Sequence, residues 1–270
     1  MLFLVAMMVV PFLFWRGTWF GRSLSDQETA DYLAPGAKPR QTQHALVQIG
    51  ERIQRGERSV KRWYARVEEL VEHPQAEVRS TAAWVMGQDN QAPGFYAALL
   101  RLLVDTDPVV RRNAALALVR FGDASGREEL RQMLLPFSVT APGAGTIALR
   151  LAVGDAVNPG TLLARIDSGE EAPIEVRSPL PGKLRDWTVV EGTRVNAGST
   201  LALLSPSEEE VWEALRAFFL VGQAEDLELV EPYARGQIDS SDRIRQQAQL
   251  TAAAVRERSK KAGDLTPGPG

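Results

Sequence analysis

The chain has 270 residues, 44% hydrophobic and 24% charged, with 31 Lys or Arg against 34 Asp or Glu. That is enough chain for one large or two modest cores, and a net charge of −3 leaves no overall electrostatic footprint for nucleic acid. The lack of Cys excludes disulfides and thiolate-bound metal or iron–sulfur centres, and two His, His44 and His73, are too few for a histidine metal cluster.

The first element is apolar. M-L-F-L-V-A-M-M-V-V-P-F-L-F opens the chain without a charge, and extended to Phe20 the run reaches the length of helix that crosses a bilayer. Phe3, Phe12, Phe14 and Phe20 are its expected lipid contacts. Trp15 and Trp19 flank Arg16 as an interfacial aromatic belt does, and Arg16 and Arg22 can snorkel to head groups. A cleaved signal peptide competes with this reading, but no charged segment precedes the run and no A-x-A site follows it. A short interfacial helix is a second rival. Arg16, Arg22, Lys38 and Arg40 all follow the span and no Lys or Arg precedes it. The positive-inside rule then expects a single-pass inner-membrane protein with a cytoplasmic body, a periplasmic one being the alternative.

Residues 23–40 form a connector after an anchor of residues 1–22. S-L-S-D-Q-E-T-A-D-Y-L places Ser and Asp at capping positions of a short helix, which A-P-G-A-K-P-R ends. From Gln41 the spacing of Ala45, Leu46, Ile49 and Ile53 predicts helix. A repeat follows: H-P-Q-A-E-V-R-S-T-A-A-W-V-M-G from His73 and T-D-P-V-V-R-R-N-A-A-L-A-L-V-R-F-G from Thr106 align Val78-Arg79 with Val110-Arg111. Amphipathic helices over residues 63–72 and 95–104 precede the two copies. Two helices per unit, a Pro-containing turn and V-R-x-x-A-A resemble HEAT repeats of the short bacterial type, which implies stacked helix pairs. The Arg after the turn is expected to bond carbonyls or a neighbouring acid.

Two stretches of this region, residues 41–136, are candidate protein contacts. R-S-V-K-R-W-Y-A-R carries Arg58, Arg62, Trp63 and Tyr64, a mix of base and aromatic that nucleic acid could also use, and suits anionic lipid or an acidic partner better beside a membrane anchor. Gln88, Asp89 and Asn90 offer three polar groups at a helix end, suited first to local capping and second to a partner.

Residues 137–206 hold one motif written twice. A-P-G-A-G-T-I-A-L-R-L-A-V-G-D-A-V-N-P-G-T-L-L-A-R-I and S-P-L-P-G-K-L-R-D-W-T-V-V-E-G-T-R-V-N-A-G-S-T-L-A-L-L match at Pro142 and Pro179, Gly145 and Gly182, Gly160 and Gly198. Short β-branched runs at residues 146–151, 161–166, 183–190 and 200–204 are punctuated by Gly and Pro, which predicts strands joined by tight turns. Neither copy can bury a face alone, so two interlocking copies closing one small sandwich are expected. The pattern resembles biotinyl/lipoyl-like domains, whose barrel-sandwich hybrid fold also occurs in membrane-fusion adaptors. A carrier of that family needs a lysine at the hairpin tip between the copies. Here the hairpin reads R-I-D-S-G-E-E-A-P-I-E-V, without Lys, and Lys183 is expected in a strand. No cofactor is therefore expected.

Helical grammar resumes over residues 207–258. S-P-S-E-E-E-V-W-E-A-L-R-A-F-F-L-V-G has an acidic, capped first turn, and Ile244-Arg245 with Ala248 repeats V-R-x-x-A. Residues 126–135 read as a first helix whose partner is residues 208–221, so the β region is expected between the two helices of one unit. Residues 259–270 read as a flexible tail. No P-loop, G-x-S-x-G, H-E-x-x-H or dinucleotide fingerprint is present. The expected fold class is multidomain α + β: HEAT-like helix pairs, an inserted small all-β hybrid domain and one transmembrane helix. The expected function is non-enzymatic, with no catalytic or metal residues: a scaffold or accessory subunit docking on an integral-membrane complex. Its partners would be that complex and the bilayer, with no nucleic acid and no small-molecule substrate. An efflux or secretion adaptor and a degenerate biotin/lipoyl carrier are the alternatives.

Overall fold

Ten α-helices and two four-stranded antiparallel sheets make up the computed structural model, which describes residues 22–169 and 172–264. The expected membrane span, with Phe3, Phe12, Phe14, Trp15, Arg16, Trp19 and Phe20, lies outside the described residues. Among the described residues no helix is long and apolar enough to cross a membrane. The chain divides into two units, the first ending at Ala98 and the second beginning at Leu99.

In the first unit, α1 (Asp26–Leu33) starts at Ser25, whose Oγ accepts from the Glu28 amide at 3.2 Å while Glu28 Oε2 accepts from the Ser25 amide at 2.9 Å. This reciprocal cap satisfies two donors that a helix start leaves orphaned. Helix α2 (Pro39–Gln54) has Pro at its first position, where the missing amide costs nothing, and buries Ala45, Leu46 and Ile49. Its Gly50 is a close-approach residue: a Cβ there would lie 2.4 Å from the Trp84 ring of α4 (Ala76–Met86). The helix expected over residues 63–72 is broken. It begins earlier, as a 3₁₀ turn Arg58–Trp63, continues as α3 (Tyr64–Glu69) and ends as a second 3₁₀ turn Leu70–Glu72. Val60, Val67 and Val71 are its buried residues, so three tight segments keep one valine stripe inward. Helix α5 (Pro93–Leu102) follows.

The repeat arginine acts alike in both copies. Arg79 Nη1 donates to the carbonyls of His73 and Pro74 at 2.8 and 3.2 Å. Arg111 Nη1 donates to those of Asp105 and Thr106 at the same two distances. Each arginine reaches back over its own turn and ties the second helix to the residues just before it, which gives V-R-x-x-A-A a structural role.

In the second unit α6 (Pro108–Val119) and α7 (Arg127–Gln132) precede the strands, and α8 (Glu208–Val221), α9 (Leu227–Ala234) and α10 (Asp242–Asp264) follow them. Helices from both sides share one core: Ala115, Leu130, Met133, Val211, Phe218, Val230, Ile244 and Ala248 belong to a single buried cluster. Tyr233 Oη donates to the Leu134 carbonyl at 3.1 Å, and burial pushes this phenol up to about 12. Thr251 Oγ1 donates to the Leu215 carbonyl at 2.8 Å and Arg258 to that of Phe219 at 2.8 Å, so α8 and α10 run parallel, as second helices of successive pairs do. The flexible tail expected from residue 259 starts too early: α10 carries helix to Asp264.

The strands are β1 (Phe137–Thr140), β2 (Gly145–Leu149), β3 (Ala156–Val157), β4 (Leu162–Asp167), β5 (Ile174–Arg177), β6 (Gly182–Trp187), β7 (Arg194–Val195) and β8 (Thr200–Pro206). One sheet has the order β1-β8-β6-β3 and the other β5-β4-β2-β7. Exchanging β1 with β5, β2 with β6, β3 with β7 and β4 with β8 turns one order into the other, so each sheet is built from both copies of the motif. Ile147, Leu163, Ile166, Leu184, Leu201 and Leu204 fill the core between them. Gly145 and Gly182 are equivalent under this exchange for a reason. A Cβ would lie 2.3 Å from the Asp167 carbonyl oxygen at one and 2.2 Å from that of Ser205 at the other. Phe137 pairs with Leu204, so the chain enters and leaves the strands side by side.

Candidate functional site

The first group of predicted site residues lies on the 3₁₀ turn and α3. Arg58 is exposed and has no carboxylate within 4 Å among the described residues. Arg62 pairs with Asp26, and its guanidinium lies 5.3 Å from the centre of the Trp63 ring. Trp63 is half-buried. Tyr64 is turned inward: its Oη donates to Asp89 Oδ2 at 2.8 Å and its ring lies 4.4 Å from that of Phe95. Burial, and then the Asp89 carboxylate, push the Tyr64 phenol well above its ordinary range.

The structure joins this group to the second. Asp89 Oδ1 accepts from the Gln91 amide at 3.0 Å and Lys61 Nζ lies 3.8 Å from Oδ2. Gln88 Oε1 accepts from Gln54 Nε2 at 2.9 Å, and Gln88 Nε2 donates to the Trp84 carbonyl at 2.8 Å. Asn90 is exposed, its Oδ1 accepting from Gln91 Nε2 at 3.0 Å. Tyr64, Gln88 and Asp89 thus fasten the turn between α4 and α5, while Arg58 and Arg62 stay on the outside. Arg22 pairs with Glu28, whose carboxyl is held down at about 2 by the Ser25 amide and then by Arg22. Arg22, Leu24, Asp26, Gln48, Arg52 and Arg55 line an open polar groove of about 500 Å³.

A second constellation, in the other unit, has no local sequence signal. Arg112 on α6 is 5% exposed and pairs with Glu210 on α8, and its Nε lies 3.8 Å from Glu129 on α7. Asp226, fully buried, accepts from Arg127 Nε at 2.7 Å and from Arg131 Nη1 at 2.9 Å. Hydrogen bonding raises both guanidinium pKa values, through Asp226 at Arg127 and through Glu228 and Asp226 at Arg131. Both arginines precede the strands and Asp226 follows them. A buried carboxylate held by two guanidiniums is fully paired, so the cluster fastens helices rather than offering an open base. No group of three or more His, Cys, Asp or Glu that could hold a metal exists among the described residues.

In the strand region Lys183 is exposed in β6, away from the hairpin between β4 and β5, whose residues 170 and 171 lie outside the described residues.

Residues 65–137 match the HEAT repeats family model. The helix pairs within that stretch are HEAT-like repeats. No curated protein matches the chain. Among solved structures, an engineered protein is 14% identical, with 86% of this chain and 80% of that one covered, at a TM-score of 0.43. The product-bound ectoine utilization protein of Ruegeria pomeroyi is 16% identical over 37% of this chain and 32% of its own, at a TM-score of 0.23. A single-chain, multi-domain long-chain acyl-CoA carboxylase is 19% identical over 64% of this chain and 16% of its own, at 0.25.

Proposed function

We propose that the chain is a membrane-anchored, non-enzymatic scaffold whose strand region is a biotinyl/lipoyl-like hybrid domain inserted into a HEAT-like helical body. The observation that carries this reading is the strand exchange between two copies, set between helices that share one core. Stacked helix pairs present extended surfaces suited to protein partners. A small rigid sandwich with both chain ends on neighbouring strands adds a second docking element without disturbing the first. The proposed partner is an integral-membrane complex, and the apolar residues 1–20 are the proposed anchor, with the body on the cytoplasmic side.

A carrier role is disfavoured by the hairpin sequence R-I-D-S-G-E-E-A-P-I-E-V, which has no amine to acylate. An efflux adaptor is disfavoured because β4 and β5 pair directly, Ile166 with Ile174, which leaves too little chain at the hairpin for a coiled-coil arm. Purification in mild detergent, with identification of co-eluting proteins and intact-mass measurement, tests the reading. It expects an integral-membrane protein at fixed stoichiometry and an unmodified chain. An added biotin or lipoate mass would overturn it.

A further inference from the structure

We infer that the exposed strip formed by Arg55, Arg58, Lys61, Arg62 and Arg66 lies against the head groups of an anionic bilayer. Its placement rests on the anchor reading above. The side chains of Arg55, Lys61, Arg62 and Arg66 are 46–61% exposed. The valines of the same stretch, Val60 and Val67, point into the core. What faces outward over residues 55–66 is therefore mainly cationic, with Gly56, Ser59 and Ala65, the half-exposed Glu57 and the half-buried Trp63 between the charges. A protein partner is gripped through buried aromatic or aliphatic anchors in pockets. Its single aromatic, Trp63, is half-buried on its own helix under Arg62, and a mostly charged strip suits a fluid lipid surface.

Two further observations agree. Arg55 lines the same groove as Arg22, and Arg22 follows the apolar segment in the sequence. Charge is also divided along the chain: residues 1–66 hold 10 Lys or Arg against 5 Asp or Glu, and the remainder 21 against 29. An anionic surface attracts the first part and repels the second. Lys61 lies 3.8 Å from the more buried Asp89, which is already held by Tyr64 and the Gln91 amide, while Asp26, Glu57 and Glu69 pair with Arg62, Arg55 and Arg66, half-exposed pairs that are weak and screened. Lipid phosphates and carboxylates can replace them, and Arg58 has no such pair to give up among the described residues.

The test uses the full chain carrying Ser59→Cys, a unique label site because the natural chain has no Cys. A polarity-sensitive dye is attached there, and the chain is mixed with vesicles of phosphatidylcholine alone or with added phosphatidylserine. The inference expects a blue shift and loss of iodide quenching only with phosphatidylserine, both reversed by molar salt and by Arg58→Glu with Arg62→Glu. Equal emission in the two lipids overturns it, as does a shift produced by polyglutamate without lipid but not by vesicles. Flotation on phosphatidylcholine alone reads the anchor separately. A chain that floats there but shows no phosphatidylserine-dependent shift overturns the strip and keeps the anchor. One that fails to float there but shifts with phosphatidylserine does the reverse.

Discussion

Arg112 and Glu210 stand 98 positions apart and meet with side chains only 6% and 12% exposed. Arg112→Leu leaves Glu210 buried without its cation and should cost about 3–5 kcal/mol, and Glu210→Gln should cost less because Glu129 stays 3.8 Å from Arg112 Nε. Replacing both, Arg112→Met with Glu210→Leu, should recover most of that loss, and urea unfolding of the four proteins reads the difference. Glu28 acts at the surface. A carboxyl whose pKa falls on folding adds stability above its unfolded value, 4.5, and loses it as pH drops toward its folded value, about 2. Acidification through that window should fray the start of α1, and Glu28→Gln should remove the pH dependence, both seen in amide exchange of residues 28–30. Because Glu28 is exposed and screened, the effect should stay local. The Ser25 cap was legible in S-L-S-D-Q-E, but the Arg112–Glu210 pair was not: Glu210 reads as a helix-start charge, and nothing near Arg112 announces a partner so far along the chain.

At the scale of elements, legibility followed periodicity. The spacing V-R-x-x-A-A located both second helices and the role of their arginine, because that side chain bonds its own preceding turn. The matched Gly145 and Gly182 located the exchange points of the strand region, because a carbonyl oxygen occupies the space of a Cβ at both. Gly145→Ala and Gly182→Ala should each destabilise that region by about 1–3 kcal/mol through overpacking, measured as faster amide exchange in β2, β4, β6 and β8. The two-residue strands β3 and β7 carry too few residues for an alternating pattern. In α8 the fourth position, held by Arg79 and Arg111 in their own helices, is Val211, and the chain before α8 comes from β8, whose Pro206 and Ser205 pair with Gly182 and Lys183. Beside it the Trp212 indole carries the guanidiniums of Arg216 and Arg243, 4.4 and 3.9 Å from its ring centre.

For the whole molecule, the proposal separates two jobs: a helical body that continues across the strand region in space, and a sandwich that serves docking. The helical core uses residues from both sides of the strands, and the sandwich has a core of its own. Phe137 and Leu204 are strand partners, so a short linker can replace what lies between, and loop-closure cost changes only with the logarithm of length. The measurement that tests this most directly is far-UV circular dichroism with thermal unfolding of a variant in which residues 138–205 are replaced by a short Gly/Ser linker. The account predicts a cooperative helical protein that has lost its membrane partner in pull-down. A variant without helical signal, or one that aggregates, would show that the strands belong to the body's core and would contradict it.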